Sequence, residues 1–230
     1  MLKPEALVVA NKIFQNIFSA DNPYSLEQLQ QKFAFDIELP IKVRDYTSGE
    51  ITYTVAPNAQ QFMTNDNSNA HEDWMLPRQE VKNLKEVLEI WRSINFMVTE
   101  RVYQSENVHA SDPIYGSENV YASTNCNDVK NVIFCDGCHA SEYIMACRRS
   151  ENSNFCLRVD DSAKCGNSYN VTCSNSISNS YFIQDASHLH ECIFCSHISN
   201  HEYCIANMQF SKEEYFYLKK QITEWILAQE

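Results

Sequence analysis

Glycine is almost missing from this chain, with four residues in 230. So few glycines leave no Gly-rich phosphate loop, and neither a nucleophile elbow nor a catalytic-triad spacing is present. No apolar run reaches the length of a membrane span. The start, Met1 to Lys12, has a short apolar stretch but no long hydrophobic region and no small-residue cleavage site. Positive charge is also scarce: 18 Lys and Arg stand against 30 Asp and Glu, a net charge of −12. A chain this acidic repels nucleic acid and anionic membranes alike. The deficit is spread along the chain, at −4 for residues 1–98, −7 for 99–210 and −1 for 211–230. These absences predict a protein of the cytoplasm or of a virion, not exported through a signal peptide, with reduced thiols. They point away from an enzyme, from direct nucleic-acid binding and from the membrane.

Cysteine, by contrast, is abundant, with ten residues. Cys135-x-x-Cys138 and Cys192-x-x-Cys195 look at first like halves of a zinc site. An internal repeat offers a different origin. Ser105-Glu-Asn-Val-His-Ala-Ser recurs as Ser117-Glu-Asn-Val-Tyr-Ala-Ser, then as Val129-Lys-Asn-Val-Ile-Phe-Cys and Ser141-Glu-Tyr-Ile-Met-Ala-Cys. The period is twelve, and it runs without insertion through units beginning at Ser153, Cys165, Ile177 and Leu189, with a partial ninth at His201.

Counting the first residue of each unit as offset 0, the 32 positions at offsets 0, 3, 6 and 9 are all Ser, Cys, Val, Ile, Ala or Leu. The other 64 positions hold those residues 14 times. Such a register marks the inside of something narrow. Twelve extended residues at about 3.3 Å each close a loop of roughly 40 Å perimeter, which admits only small side chains. Stacked at about 4.8 Å, such loops make a parallel β-solenoid, and the crossover rule favours a right-handed coil. Nine of the ten cysteines occupy the inward register, Cys173 being the exception, so C-x-x-C follows from packing of a small, readily buried residue.

The expected fold is therefore mainly β: a right-handed parallel solenoid of about nine coils at 99–210, a small α+β domain at 1–98 before it, and a capping helix at 211–230. In the first part, residues 4–19 and 25–33 have helical spacing, 37–55 reads as a hairpin around Asp45–Glu50, and 56–77 as a long polar loop. A helix from Pro77 should carry Val81, Leu84, Val87, Leu88 and Trp91 on one face. Ser211-x-x-Glu214 is a capping box that opens the last helix. The two flanking parts are expected to cover the two open ends of the solenoid.

Outward columns carry the candidate sites. Asn107, Asn119, Asn131, Asn167 and Asn179 at offset 2 suit a side-chain ladder on a corner where Asn tolerates left-handed backbone. Tyr121, Ile133, Met145, Leu157, Tyr169, Tyr181, Ile193 and Ile205 at offset 4 form a bulky apolar strip, to be covered by the rest of the chain, by a protein partner or by a second copy. Residues 188–204 hold seven His and Cys, and Cys192, Cys195, His201 and Cys204 are the candidate ligands of a zinc or Fe–S site. Outside that candidate no cofactor is expected. Asp112, Asp136, Asp160, Asp161 and Asp185 make an acidic edge, read as solvation.

The inward Ser and Cys of residues 105–208 resemble those of insect antifreeze solenoids, which also use twelve-residue coils. The flat Thr-x-Thr ladder of those proteins is absent, so their ice-binding activity is not implied. The eighteen-residue coils of hexapeptide acyltransferases do not fit. The ending Asn200-His-Glu-Tyr-Cys-Ile-Ala-Asn-Met-Gln-Phe-Ser-Lys-Glu-Glu-Tyr215 is similar to the ends of uncharacterised Cys- and Asn-rich repeat proteins of bacteria and their phages. That resemblance implies a bacterial or phage setting and no activity. Together these features lead us to expect a non-enzymatic structural protein that docks or assembles through its strip or coil ends.

Overall fold

The computed structural model describes residues 1–56, 58–70 and 73–228. About half of them form a β-solenoid of about nine turns. Every parallel pairing in it steps by twelve residues, as in Val108 beside Val120, Ile144 beside Cys156, and Cys192 beside Cys204. The inward register is buried throughout, except that Ser105, Val108 and Ile198 near the two ends are half-buried and His201, which opens the partial ninth unit, is exposed.

What bends twelve residues into a coil is a left-handed residue at every third position. From Gln104 to Ala206 each such residue has φ between +46° and +66°, apart from Pro113, which follows a cis peptide. Each coil therefore has four corners, and between corners lie one inward and one outward residue. The Asn column at offset 2 is one of these corners, and its amides do stack: Asn107 Nδ2 donates to Asn119 Oδ1 at 2.7 Å, and Asn119 Nδ2 to Asn131 Oδ1 at 3.1 Å. The corner at offset 5 takes bulky residues such as Phe134, Arg158 and Phe182. A non-glycine residue in this region costs on the order of 1–2 kcal/mol, so the stacked hydrogen bonds must outweigh it.

Those bonds follow one rule. The outward residue's N–H donates to the inward carbonyl of the next coil, as Glu118 N does to Val129 O at 3.0 Å. The corner's N–H donates to the outward carbonyl of the coil before, as Asp128 N does to Tyr115 O at 3.0 Å. Many inward N–H groups find a side chain instead. Ser153 Oγ accepts from Cys165 N at 3.1 Å and donates to Glu151 O at 2.9 Å. Cys135 Sγ does the same between Cys147 N, at 3.4 Å, and Ile133 O, at 3.3 Å. Serine and cysteine thus line the tube because they are small and because they can bridge two backbone groups that no water reaches.

A second core lies outside the tube. Helix α1 (Lys3–Phe18) buries Ala6, Val9, Ala10, Ile13, Phe14, Ile17 and Phe18 against the solenoid. It runs along the side and does not cap an end. The amino group of Met1 donates to Asn107 O, and Tyr181 Oη donates to Ile17 O. Six coil steps of about 4.8 Å separate those two anchor points, roughly 29 Å. A sixteen-residue helix rises about 24 Å, and the extended residue before it makes up the difference. Helix α2 (Leu26–Phe33), capped by Ser25, packs beside α1 with Leu29 and Phe33 buried.

The remaining N-terminal elements gather at the first coil. Strands β1 (Ile41–Arg44) and β2 (Ile51–Thr54) form the expected antiparallel hairpin. The segment read as loop instead contains strand β3 (Gln61–Thr64) and a short helix α3 (Asn65–Asn69). β3 pairs in parallel with β4 (Phe96–Thr99) across a gap of more than thirty residues. Between them helix α4 (Leu84–Ile94) begins later than Pro77, because Asn83 is the true N-cap and accepts from Glu86 N.

At the far end, Met208 and Gln209 fold back antiparallel on the last coil, and Ser211 and Glu214 cap helix α5 (Lys212–Ala228) reciprocally. α5 too lies along the strip side, with Tyr215 and Ile226 buried. Among the described residues no helix is long and apolar enough to cross a membrane.

Candidate functional site

The apolar strip is assembled as one column, and the chain itself covers it. Tyr121, Ile133, Met145, Leu157, Tyr181, Ile193 and Ile205 are buried, and Tyr169 is half-buried. All eight share a core with α1, α2 and α5. Phe18 meets Tyr169 and Tyr181 at centroid distances of 5.4 and 5.6 Å, and Trp225 of α5 closes over Phe182 and Phe194 at 6.1 and 6.3 Å. The corner residue Arg158 fastens the α2 end of this layer by pairing with Asp36 and donating to Phe33 O at 2.8 Å. The strip is an internal seam covered by the chain's own helices.

Under α5 the seam holds an ion pair. Lys219 Nζ lies 2.6 Å from Glu191 Oε2 and 3.2 Å from Asn179 O, above the rings of Tyr181 and Tyr215. Burial and the Glu191 carboxylate push the Tyr215 phenol well above its ordinary value.

The Cys and His residues of 188–204 diverge. Cys192, Cys195 and Cys204 point into the tube, where Cys192 Sγ donates to His190 O at 3.4 Å and Cys195 Sγ to Ile193 O at 3.3 Å. The Cys192 thiol lies against Cys195, holding the latter down at about 7 while its own value rises. His188 and His197 are exposed corners, and His201 is exposed on the last coil. His190 faces outward and bonds Ser178 Oγ at 2.9 Å. Among the described residues no three His, Cys, Asp or Glu come together as metal ligands, so a zinc or Fe–S role is not favoured. In-and-out alternation explains the outcome: dense spacing in sequence became opposite directions in space.

The acidic edge is partly neutralised by arginines one coil away. Arg148 pairs with Asp160 at 2.9 Å, Arg149 with Asp161, and Arg101 with the buried Asp112 at 2.9 Å.

Two surface features escaped the sequence. At the first coil, residues of the hairpin, α3 and coil 1 line a cleft of about 760 Å³ that includes Glu50, Asp66, Glu100 and His109. Burial pushes the Glu100 carboxyl up. The cleft is shaped by Asp45, which is 1% exposed and accepts from the N–H groups of Thr47, Ser48 and Thr64 and the amide of Asn67. The sequence offered Asp45 only as a turn residue.

The second feature is α4. Its apolar face was legible, but that nothing would cover it was not. None of its residues is buried, and Leu84 is 70%, Val87 48%, Leu88 40% and Trp91 49% exposed. Met75 and Leu76 just before it are also exposed.

No family model, curated protein or solved structure matches this chain.

Proposed function

We propose that this solenoid is a non-enzymatic structural protein that docks onto a protein partner, and that the docking surface is α4 in place of the strip. The bare apolar face of α4 carries this assignment. A helix of eleven residues is marginal in water without tertiary support, and its support comes from burying an apolar stripe. Here the stripe is present and uncovered. The rest of the molecule suits a rigid platform: about nine stacked coils, an apolar side closed by its own helices, and a last coil closed by a fold-back strand. A place in a phage particle rests on the resemblance of residues 200–215 to phage repeat proteins.

The test is the double variant Leu84→Glu, Leu88→Glu. Charges on a free docking face leave the fold intact, so the melting temperature at low protein concentration should match the wild type while association is lost. A fall in melting temperature that does not depend on protein concentration would place the face inside the chain and overturn the docking role.

A further inference from the structure

Resting on that docking role, we infer that the occupant of α4 is a second copy of this chain, bound antiparallel about a two-fold axis between Val87 and Leu88. On α4 the exposed stripe consists of Leu84, Val87, Leu88, Trp91 and Ile94, and Val81, also exposed, precedes the N-cap Asn83. From Leu84 to Trp91 the steps are 3, 1 and 3 residues, which read the same in both directions. An antiparallel copy therefore sets Trp91 against Leu84 and Leu88 against Val87. Each large side chain meets a smaller or equal one. This is what a self-complementary, isologous interface requires.

Charge permits the approach. The chain carries −12, so most of its surface repels a copy of itself. Residues 74–94 hold four basic and three acidic side chains, a local charge of +1. The charged residues of α4 lie off the stripe, and Lys85 and Glu89 pair within the helix at 3.8 Å. No charge need be stripped of water at the seam.

Area reaches the lower bound of a specific interface. Val81 and the five stripe residues expose between 37% and 70% of their surface, and Met75 and Leu76 expose 80% and 45%. At the low end of the roughly 150–250 Å² that a large side chain can bury, these eight contribute roughly 600 Å² per copy. Specific interfaces begin at about 600 Å² from each partner, roughly 1,200 Å² in all.

The experiment is sedimentation equilibrium on the purified chain from 1 to 100 µM, with Leu84→Glu, Leu88→Glu beside it. The wild type should show twice 26.6 kDa at the upper concentrations and dissociate on dilution, and the variant should stay at 26.6 kDa with the wild-type melting temperature at low concentration. A wild type that stays monomeric while the variant keeps its stability would overturn the second copy and leave the docking role with another occupant. A concentration-independent loss of stability in the variant would overturn both. Orientation is read in a Cys173→Ser background with a short bismaleimide. Leu88→Cys should cross-link between copies and Ile94→Cys should not, because the antiparallel arrangement separates the two 94 positions by thirteen residues of rise, about 20 Å. Cross-linking at 94 would overturn the antiparallel geometry.

Discussion

The inward serines divide into two kinds, and the difference predicts opposite responses to the same substitution. Ser153 is 2% exposed and bridges Cys165 N and Glu151 O. Removing its oxygen in Ser153→Ala leaves the Cys165 N–H without that partner where water does not reach, while Glu151 O keeps the bond from Lys164 N at 2.9 Å. Such a loss costs about 1–3 kcal/mol. For a chain of this length that lowers the melting temperature by roughly 2–12 °C. Ser150, a quarter of a coil away and 1% exposed, has a buried hydroxyl with no hydrogen-bond partner among the described residues. Ser150→Ala removes a group that burial penalises and should be neutral or stabilising by about 1 kcal/mol. Ser153→Cys should cost under about 1 kcal/mol, since cysteines at other inward positions make the same two bonds. Urea denaturation followed by circular dichroism measures all three. Equal effects of the two alanine variants would refute the bridging role and leave size alone as the reason for serine.

Three further outcomes follow from the buried groups. Cys156→Arg should prevent stable folding, because a charge enters a tube with neither room nor a counter-ion, whereas Cys156→Ser should remain folded and melt close to the wild type. Lys219→Met should destabilise by about 3 kcal/mol, because Glu191 is left with 11% of its side chain exposed and no cation. Adding Glu191→Leu should recover most of that loss in a double-mutant cycle of denaturation midpoints. Burial pushes the Asp45 carboxyl up, but the N–H groups of Ser48, Thr64 and Thr47 and the Asn67 amide outweigh it and hold the group at about 2, against an ordinary 3.8. A depressed value means that its stabilisation, on the order of 2 kcal/mol, is fully present above pH 3.8 and is lost as the pH falls toward 2. Hydrogen exchange over 41–64 should therefore accelerate within that window, and Asp45→Asn should remove the pH step.

The coil, the inward thiols and the apolar strip were legible because a repeat of twelve tests each assignment eight times. Cys135 and Cys138 could be separated from a metal box by register alone. The four corners were legible in part: Asn at offset 2 signals left-handed backbone, but Phe182, Phe194 and Arg158 at another corner do not, since stacking and not propensity holds them there. That α1 would roof the strip was open until its length could be compared with six coil steps. The pairing of β3 with β4 was hidden because two four-residue strands far apart in sequence carry no local mark of each other. The α4 stripe could be read as a core face, and only the absence, among the described residues, of anything packed on it turns it into a surface.

The division of apolar surface into a closed seam and an open stripe is most directly tested by hydrogen exchange with mass spectrometry on the purified chain, diluted until it is monomeric. Residues 3–18 of α1 should exchange as slowly as the coils they cover, while residues 84–94 of α4 should exchange within seconds and become protected as the concentration is raised. Fast exchange in α1 together with slow, concentration-independent exchange in α4 would contradict the account.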